Sequence, residues 1–377
     1  MTDFREELKT NLAKWCATHI EPFMEHDDAE AKFRMEIFRG LGEQGYTGLT
    51  LPEAYGGAGV DFQDYVAVLD TVAQSSVAYA VTISVSSMVQ SILKDFGNEA
   101  QKQKYLPALA SGEEIGAFAL SESHSGSDAA AMKTTAKRTD GGYILNGTKM
   151  WITSAGVAKT YIVMARTGGE GAKGISAFIV RDGMPGFSYG KAEKKMGWKV
   201  SPTREIIFEN CFVPTENLLL TEGEGFKVAM GGLDRGRIAI GAIGVGCAQR
   251  ALDEATRYAL QRVQFKQPIF EFQGLQFMLA DMACEVEASR LLVQEAARLV
   301  DAGKSSVMLS SMAKMKATDT AMKVTTDAVQ IHGGVGYTSE YVVERFMRDA
   351  KVLQIVEGTN QIQRMVIARQ LKKEYSK

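Results

Sequence analysis

Between about residue 117 and residue 214 the spacing of apolar side chains tightens from the helical period of three to four to the two-residue period of a strand, then lengthens again. No single helical bundle or single sheet accommodates that change. "MKTTAKR", "GYILNG", "KTYIVMART", "GISAFIVR" and "TREIIFENC" are short and β-branched, and turns such as "TDGG" and "TGGEGAKG" separate them. No helical pattern lies between them, so a hairpin-connected antiparallel sandwich or barrel is expected rather than a parallel βαβ sheet. The flanks are helical. "EELKTNLAKWCATHI" and "FQDYVAVLDTVAQSSVAYAVTISVSSMVQSILKDFG" precede the β region, with Pro52 and the glycines of "LPEAYGGAGV" marking a loop between them. Three long helical patterns follow it, beginning "DRGRIAIGAIGVG", "FQGLQFMLADMAC" and "SSVMLSSMAKMKA". The expected fold class is α+β multidomain: an N-terminal α-helical domain over 1–115, a central antiparallel β-sandwich or barrel domain over 116–223, and a C-terminal four-helix-bundle domain over 224–377.

The length of 377 residues suits two or three cores, and a net charge of −2 gives no electrostatic reason to expect nucleic acid or an acidic membrane. Cys16, Cys211, Cys247 and Cys284 are far apart, without a CxxC pair, and read as free thiols. The amphipathic "MTDFREELKTNLAKW" lacks both a secretory h-region and transit-peptide character. The most apolar stretch, "IAIGAIGVGCA", is too short to span a bilayer. No membrane insertion is expected, and the compartment expected is the bacterial cytoplasm or, for a processed chain, the mitochondrial matrix.

Several motifs carry chemistry or exclude it. The glycines of "GAIGVGCAQ" fail the dinucleotide fingerprint, because Gln249 stands where its third glycine belongs; close helix approach explains them instead. His19, His26, His124 and His332 are scattered, so no metal site is expected. Met308, Met312, Met315 and Met322 share one helix face and read as core. "FALSESHSGSD" leaves a strand for a run of hydroxyls, either a ligand-facing loop or a solvated turn. In "GTKMWITSAG", Trp151 and Thr153 form a strand pair that fits a planar heterocycle, or a core tryptophan. "QIHGGVGY" ends a helix on paired glycines. In "IVEGTNQIQRMVIARQL" the chain breaks at Gly358 and restarts, with Thr359 as N-cap and Ile362, Met365, Val366 and Leu371 as the expected buried face. Glu357 precedes that helix, where favourable interaction with the helix dipole would already account for a carboxylate.

Taken in order, "PEAYGGAG", "SESHSGSDAAAMKTTA", "LNGTKMWIT", "LDRGR", "QIHGGVGY" and "VEGTNQIQR" resemble the acyl-CoA dehydrogenase family over nearly the whole chain. The resemblance implies an FAD-dependent enzyme that removes two hydrogens from Cα and Cβ of an acyl-CoA thioester, giving a trans-2-enoyl-CoA. It implies that Phe118, Ala119, Leu120, Ser121 and Ser127 border the flavin, that Trp151, Ile152 and Thr153 pack on it and bond its ring, and that Thr359, Asn360 and Gln361 reach it. Because the family shares FAD between subunits, Arg262, Phe265, Phe272, Gln273, Gln330, Ile331, His332, Gly333 and Gly334 would hold groups of a neighbour's cofactor in a homotetramer. Ser127, Asp234, Arg237 and Arg369 match positions lining the acyl-CoA site. An electron transfer flavoprotein is the acceptor implied.

The family's base is the glutamate of the EGT segment, here Glu357, and the family's alternative base position is occupied by Gly236. A carboxylate removes a thioester α-proton only if the developing enolate is stabilised while hydride leaves Cβ. Substrate binding is expected to desolvate Glu357 and raise its pKa against a smaller dipole effect. Ser123, His124, Lys266 and Val356 depart from the family pattern, and Val356 is expected to leave space near the reacting carbons. "KKMGWKVSPT" and "FQGLQFMLADM" look most like short-chain and branched short-chain members, including isobutyryl-CoA dehydrogenases. The alternatives are an oxidase or desulfinating relative, separable by oxygen reactivity, and a cofactor-free helical binding protein, separable by the absence of flavin colour.

Overall fold

The N-terminal helices are α1 (Thr2–His19), α2 (Met24–Glu30), α3 (Met35–Glu43), α4 (Phe62–Ser75), α5 (Val77–Phe96) and α6 (Glu99–Ala110). They belong to a computed structural model that describes residues 2–304 and 306–376. The long apolar pattern from residue 62 to 97 is two helices, because Ser76 adopts an extended conformation and its side chain accepts from Tyr79 N to start α5. By length and composition α5 could cross a bilayer, yet 94% of its apolar window is buried inside the fold. It is a core helix. A reciprocal capping box between Asn98 and Gln101 starts α6.

The central domain comprises β1 (Gly116–Ala119), β2 (Thr135–Thr139), β3 (Gly142–Thr153), β4 (Thr160–Arg166), β5 (Ile175–Arg181), β6 (Phe187–Ala192), β7 (Thr203–Pro214) and β8 (Leu218–Leu219). Along the sheet the order is β6-β7-β3-β2-β4-β5-β8, with β1 added beside β4. Hairpin neighbours pair antiparallel as expected, including β2/β3, β4/β5 and β6/β7. Two parallel pairings, β1/β4 and β2/β4, make the sheet mixed and correct the purely antiparallel expectation. β1 enters from α6 rather than from a hairpin turn, so no turn dictates its direction. β4 and β5 are buried on both faces. Ile162, Met164, Ile175, Ala177 and Ile179 pack with Met88, Val89 and Ile92 of α5 and Val228, whereas Tyr161, Val163, Phe178 and Val180 belong to the main core. That double burial is why those strands read as continuous apolar runs.

The C-terminal domain holds α7 (Gly225–Gln261), the ribbon β9 (Val263–Gln264) and β10 (Gln267–Pro268), α8 (Gln273–Asp301), α9 (Val307–His332), α10 (Val343–Leu353) and α11 (Asn360–Tyr375). Close approach does account for the α7 glycines. A Cβ on Gly246 would lie 2.1 Å from the Asp70 carbonyl oxygen of α4, and one on Gly244 would lie 3.1 Å from that of Ala317 on α9. The methionine face of α9 is only half-buried; its buried face is instead built from small residues such as Ala313, Ala317, Ala321 and Ala328. Small side chains win there because α7 must come close. The expected buried face of α11 is corrected likewise: Asn360 and Gln363 are buried, while Met365 and Leu371 are 48% and 42% exposed. All four cysteines are free thiols, and Cys284 is exposed.

Candidate active site

Between the last turn of α10 and the first of α11, Glu357 and Gly358 adopt φ values of +55° and +86°. A left-handed non-glycine residue costs on the order of 1–3 kcal/mol and persists only where its surroundings fix it. Here they do. The Glu357 carbonyl accepts from Gln363 Nε2 at 3.0 Å, and the Gly358 carbonyl accepts from Gln363 Nε2 at 2.9 Å and Lys314 Nζ at 3.0 Å. Thr359 Oγ1 caps α11 by accepting from Ile362 N at 3.3 Å. Both carbonyls are thereby committed inward, whereas the Glu357 N–H donates to no group among the described residues.

The carboxyl of Glu357 is the least compensated group of this turn. Its Oε2 is buried without a hydrogen-bond partner among the described residues. A Cβ on Gly236 would lie 2.8 Å from that oxygen and 2.7 Å from Met88 Cε, so the glycine leaves the space that the carboxyl fills. Burial pushes the Glu357 pKa up to about 7, with the charges of Arg237 and Lys314 pulling the other way. The desolvation expected on substrate binding therefore already acts in the chain itself. Arg237, itself buried, donates to Asp234 at 2.9 Å, and its Nε has no partner among the described residues.

The carboxyl faces a cleft of about 670 Å³ walled by all three domains. Of the residues expected to bind ligand, Phe118, Leu120, Ser121, Ser127, Trp151, Ile152, Thr153, Arg237, Glu357 and Arg369 line it together. Asp234 stands behind Arg237, and Ala119 is fully buried in β1. Thr359 caps α11 and Gln361 is exposed. Asn360 turns inward: its Oδ1 accepts from Lys314 Nζ at 2.8 Å, and its Nδ2 donates to Thr318 Oγ1 at 2.9 Å and Asp319 Oδ1 at 2.7 Å. That side chain holds the turn. Val356 packs against the core and is not among the cleft-lining side chains.

Trp151 is 57% exposed at the cleft wall with φ +62°, a large aromatic face held open rather than packed in a core. Together with the hydroxyls of Ser121, Ser127 and Thr153, it fits a planar heterocycle with polar edges, the chemistry of FAD. The loop opposite is fixed from beneath by a buried ion pair. Lys149 Nζ donates to Glu122 Oε1 at 2.8 Å and to the Leu120 carbonyl at 3.0 Å, while Glu122 accepts from the N–H groups of Lys133 and Thr134 at 2.7 and 2.9 Å. These contacts hold the Glu122 carboxyl down at about 2 against the effect of its burial. His124 Nε2 stands 3.5 Å from Glu122 Oε2. Sequence reasoning passed over Lys149, Glu122 and Lys314. A lysine at an inward-facing position of an alternating strand, as at Lys149, was the available signal. The apolar cleft residues Val85, Met88, Phe226, Met230 and Leu233 gave none, since their pattern is that of any core helix.

The remaining expected residues gather at the far end of the C-terminal helices, away from this cleft. Arg262 follows α7, Phe265 sits in the β9/β10 loop, Phe272 and Gln273 open α8, and Gln330, Ile331, His332, Gly333 and Gly334 end α9. His332 stacks on Tyr258 at 4.3 Å and Phe265 packs edge-on against Phe272 at 5.9 Å. Phe265 is nonetheless 88% exposed, and His332 Nε2 is buried without a partner among the described residues.

A sheet domain between two helical domains, with a desolvated carboxyl at an aromatic-walled cleft, is the arrangement of a three-domain enzyme with room for a planar cofactor. The N-terminal, middle and C-terminal domains of acyl-CoA dehydrogenase match residues 2–113, 117–211 and 223–372. The chain is 48% identical over 366 residues to an acyl-CoA dehydrogenase of Bacillus subtilis, covering 97% of each. The structure of butyryl-CoA dehydrogenase from Megasphaera elsdenii superposes with a TM-score of 0.96 at 42% identity, covering 98% of both chains. A chain from the structure described as the electron transferring flavoprotein of Acidaminococcus fermentans superposes with a TM-score of 0.97 at 46% identity, again covering 98% of both. This protein belongs to the acyl-CoA dehydrogenase family.

Proposed function

We propose that this chain dehydrogenates a short or branched short acyl-CoA thioester at Cα–Cβ to the trans-2-enoyl-CoA, with Glu357 as the base. One observation carries the reading: at the cleft, Glu357 Oε2 is buried without a partner among the described residues, and that burial pushes the carboxyl pKa up to about 7. A base poised at the working pH is matched to proton abstraction. FAD, when bound, supplies the acceptor for the β-hydrogen and its electron pair. The chain's own residues do the rest. Glu357 takes the α-proton, and its otherwise uncommitted N–H is available to a thioester oxygen in the cleft, where it would stabilise the enolate charge as that proton leaves. Met88, Leu120, Met230 and Leu233 give the acyl chain an apolar bed, Arg237 lines the cleft beside Glu357, and Arg369 offers a cation to the anionic end of the ligand.

Likeness to a chain from the electron transferring flavoprotein structure supports such a protein as electron acceptor. The open Phe265 and Tyr337, 88% and 87% exposed, support an assembly in which a second copy covers the far end of the C-terminal helices. Anaerobic titration of the flavin-loaded protein with a graded series of straight and branched acyl-CoAs tests the reading. Bleaching of the flavin band by short members is expected; an oxidised flavin with every member overturns it.

A further inference from the structure

The hydrogen bonds beneath the catalytic turn assign a role to Lys314 that the reading above does not use. Lys314 lies on α9 with no exposed surface, and its ammonium reaches two parts of the next helix start: the Gly358 carbonyl at 3.0 Å and Asn360 Oδ1 at 2.8 Å. Asn360 passes the constraint on, donating to Thr318 Oγ1 and Asp319 Oδ1, while Gln354 Nε2 donates to the same Asp319 oxygen at 2.7 Å. Both ends of the turn, residues 354 and 360, are thus tied to α9. A buried lysine is expensive to desolvate, and apolar packing would join two helices as well. An ammonium is needed where the backbone presents an inward carbonyl and a neighbouring carboxylate must stay ionisable. The turn presents both.

We propose that Lys314 is the positioning residue for Glu357: it holds the left-handed Glu357–Gly358 turn through the Gly358 carbonyl and Asn360. The inference rests on Glu357 being the base. A charge effect accompanies that geometry: burial depresses the Lys314 pKa to about 7, Glu357 raises it, and the lysine in its charged form pulls the Glu357 pKa down. The groups facing the pair are few. Arg237 on α7, with Asp234 against it, acts on both Glu357 and Lys314; Asp319 on α9, bound also by Arg364 of α11, acts on Lys314; and the Tyr65 phenol of α4 feels Glu357. Arg237 donates to Asp234 and to no group of the turn among the described residues. Lys314 reaches the Gly358 carbonyl beside Glu357, whereas Arg364, the other cation on this backbone among the described residues, donates to the Asn360 carbonyl at 3.1 Å.

The test compares K314M, K314R and N360A with the wild type as flavin-loaded protein, reading acyl-CoA flavin bleaching against pH and the Glu357 carboxyl titration by infrared difference spectroscopy, with E357Q assigning the band. K314M should slow limiting bleaching about tenfold or more and move the carboxyl midpoint upward by about half a pH unit or more, with acyl-CoA affinity changed less than about threefold. K314R should recover the midpoint and part of the rate. N360A, which keeps the charge, should slow bleaching and leave the midpoint in place. A K314M protein that melts lower but keeps its midpoint overturns the proposal, because a merely structural lysine would not set it. If K314M fails to fold, K314Q carries the same comparison. A wild-type protein that no acyl-CoA bleaches sinks the dehydrogenase reading instead, and the infrared midpoints still decide on Lys314.

Discussion

At Glu357 three unfavourable features coincide: a left-handed backbone, a buried oxygen without a partner, and a pKa raised by burial to about 7. The stability consequence has a definite sign. A carboxyl whose folded pKa lies above its unfolded value favours folding most at low pH, and that contribution is lost as pH rises through the folded pKa. E357Q should therefore melt close to wild type near pH 5 and be more stable above pH 8, by roughly 2–3 kcal/mol for a shift of this size. Thermal melts at the two pH values check this. Equal Tm differences at both would contradict the buried-carboxylate account. Gly236 makes the complementary prediction. G236A places a methyl group against the carboxyl and Met88, so bleaching should slow by about ten- to a hundredfold while flavin content is kept, as expected when a base is displaced by a fraction of an ångström. Steady-state kinetics with flavin quantitation measures it.

Among the elements, the β9/β10 hairpin is held by a two-residue loop in which Phe265 and Lys266 both have positive φ, at +50° and +66°. Such a loop favours Asn-Gly, and each left-handed side chain strains it. K266G should raise stability by up to about 1 kcal/mol, read from chemical denaturation, and no gain would contradict the strain argument. The long helices were legible because their apolar period is regular, and α7 carries its own explanation in Gly244 and Gly246. What the sequence concealed has physical causes. β6 is a short edge strand whose alternation is confined to Phe187 and Tyr189, and the parallel β1/β4 pair depends on how the chain leaves α6. Ile362, Met365 and Val366 of α11 read as core because a cleft wall and a core are built from the same side chains. Glu357 was legible through its motif; Lys314 was not, since nothing in a helical pattern says which lysine will be buried. Asn360 was read as a cofactor contact, and its side chain braces the turn.

Over the whole molecule, the site exists only because three domains meet. The N-terminal domain lends Val85 and Met88, the sheet domain lends Trp151 and the 118–130 loop, and the C-terminal domain brings Arg237 and Glu357. Charged contacts fix that meeting at its edge: Arg348 of α10 donates to Asp28 at 2.8 Å, Lys199 stands 3.7 Å from the same carboxylate, and the Trp198 N–H donates to Asp349 at 2.6 Å. Each domain contributes a residue to that cluster, so the cleft is a property of the assembled chain and not of any one domain. The central claim is that the carboxylate at this junction is the α-proton base. Rapid anaerobic mixing of the flavin-loaded wild type and E357Q with butyryl-CoA across pH 6 to 9 tests it most directly. The account predicts a wild-type bleaching rate that rises through about pH 7 to a plateau, and an E357Q rate lower by about a thousandfold or more with flavin still bound. Bleaching of E357Q at the wild-type rate would contradict it.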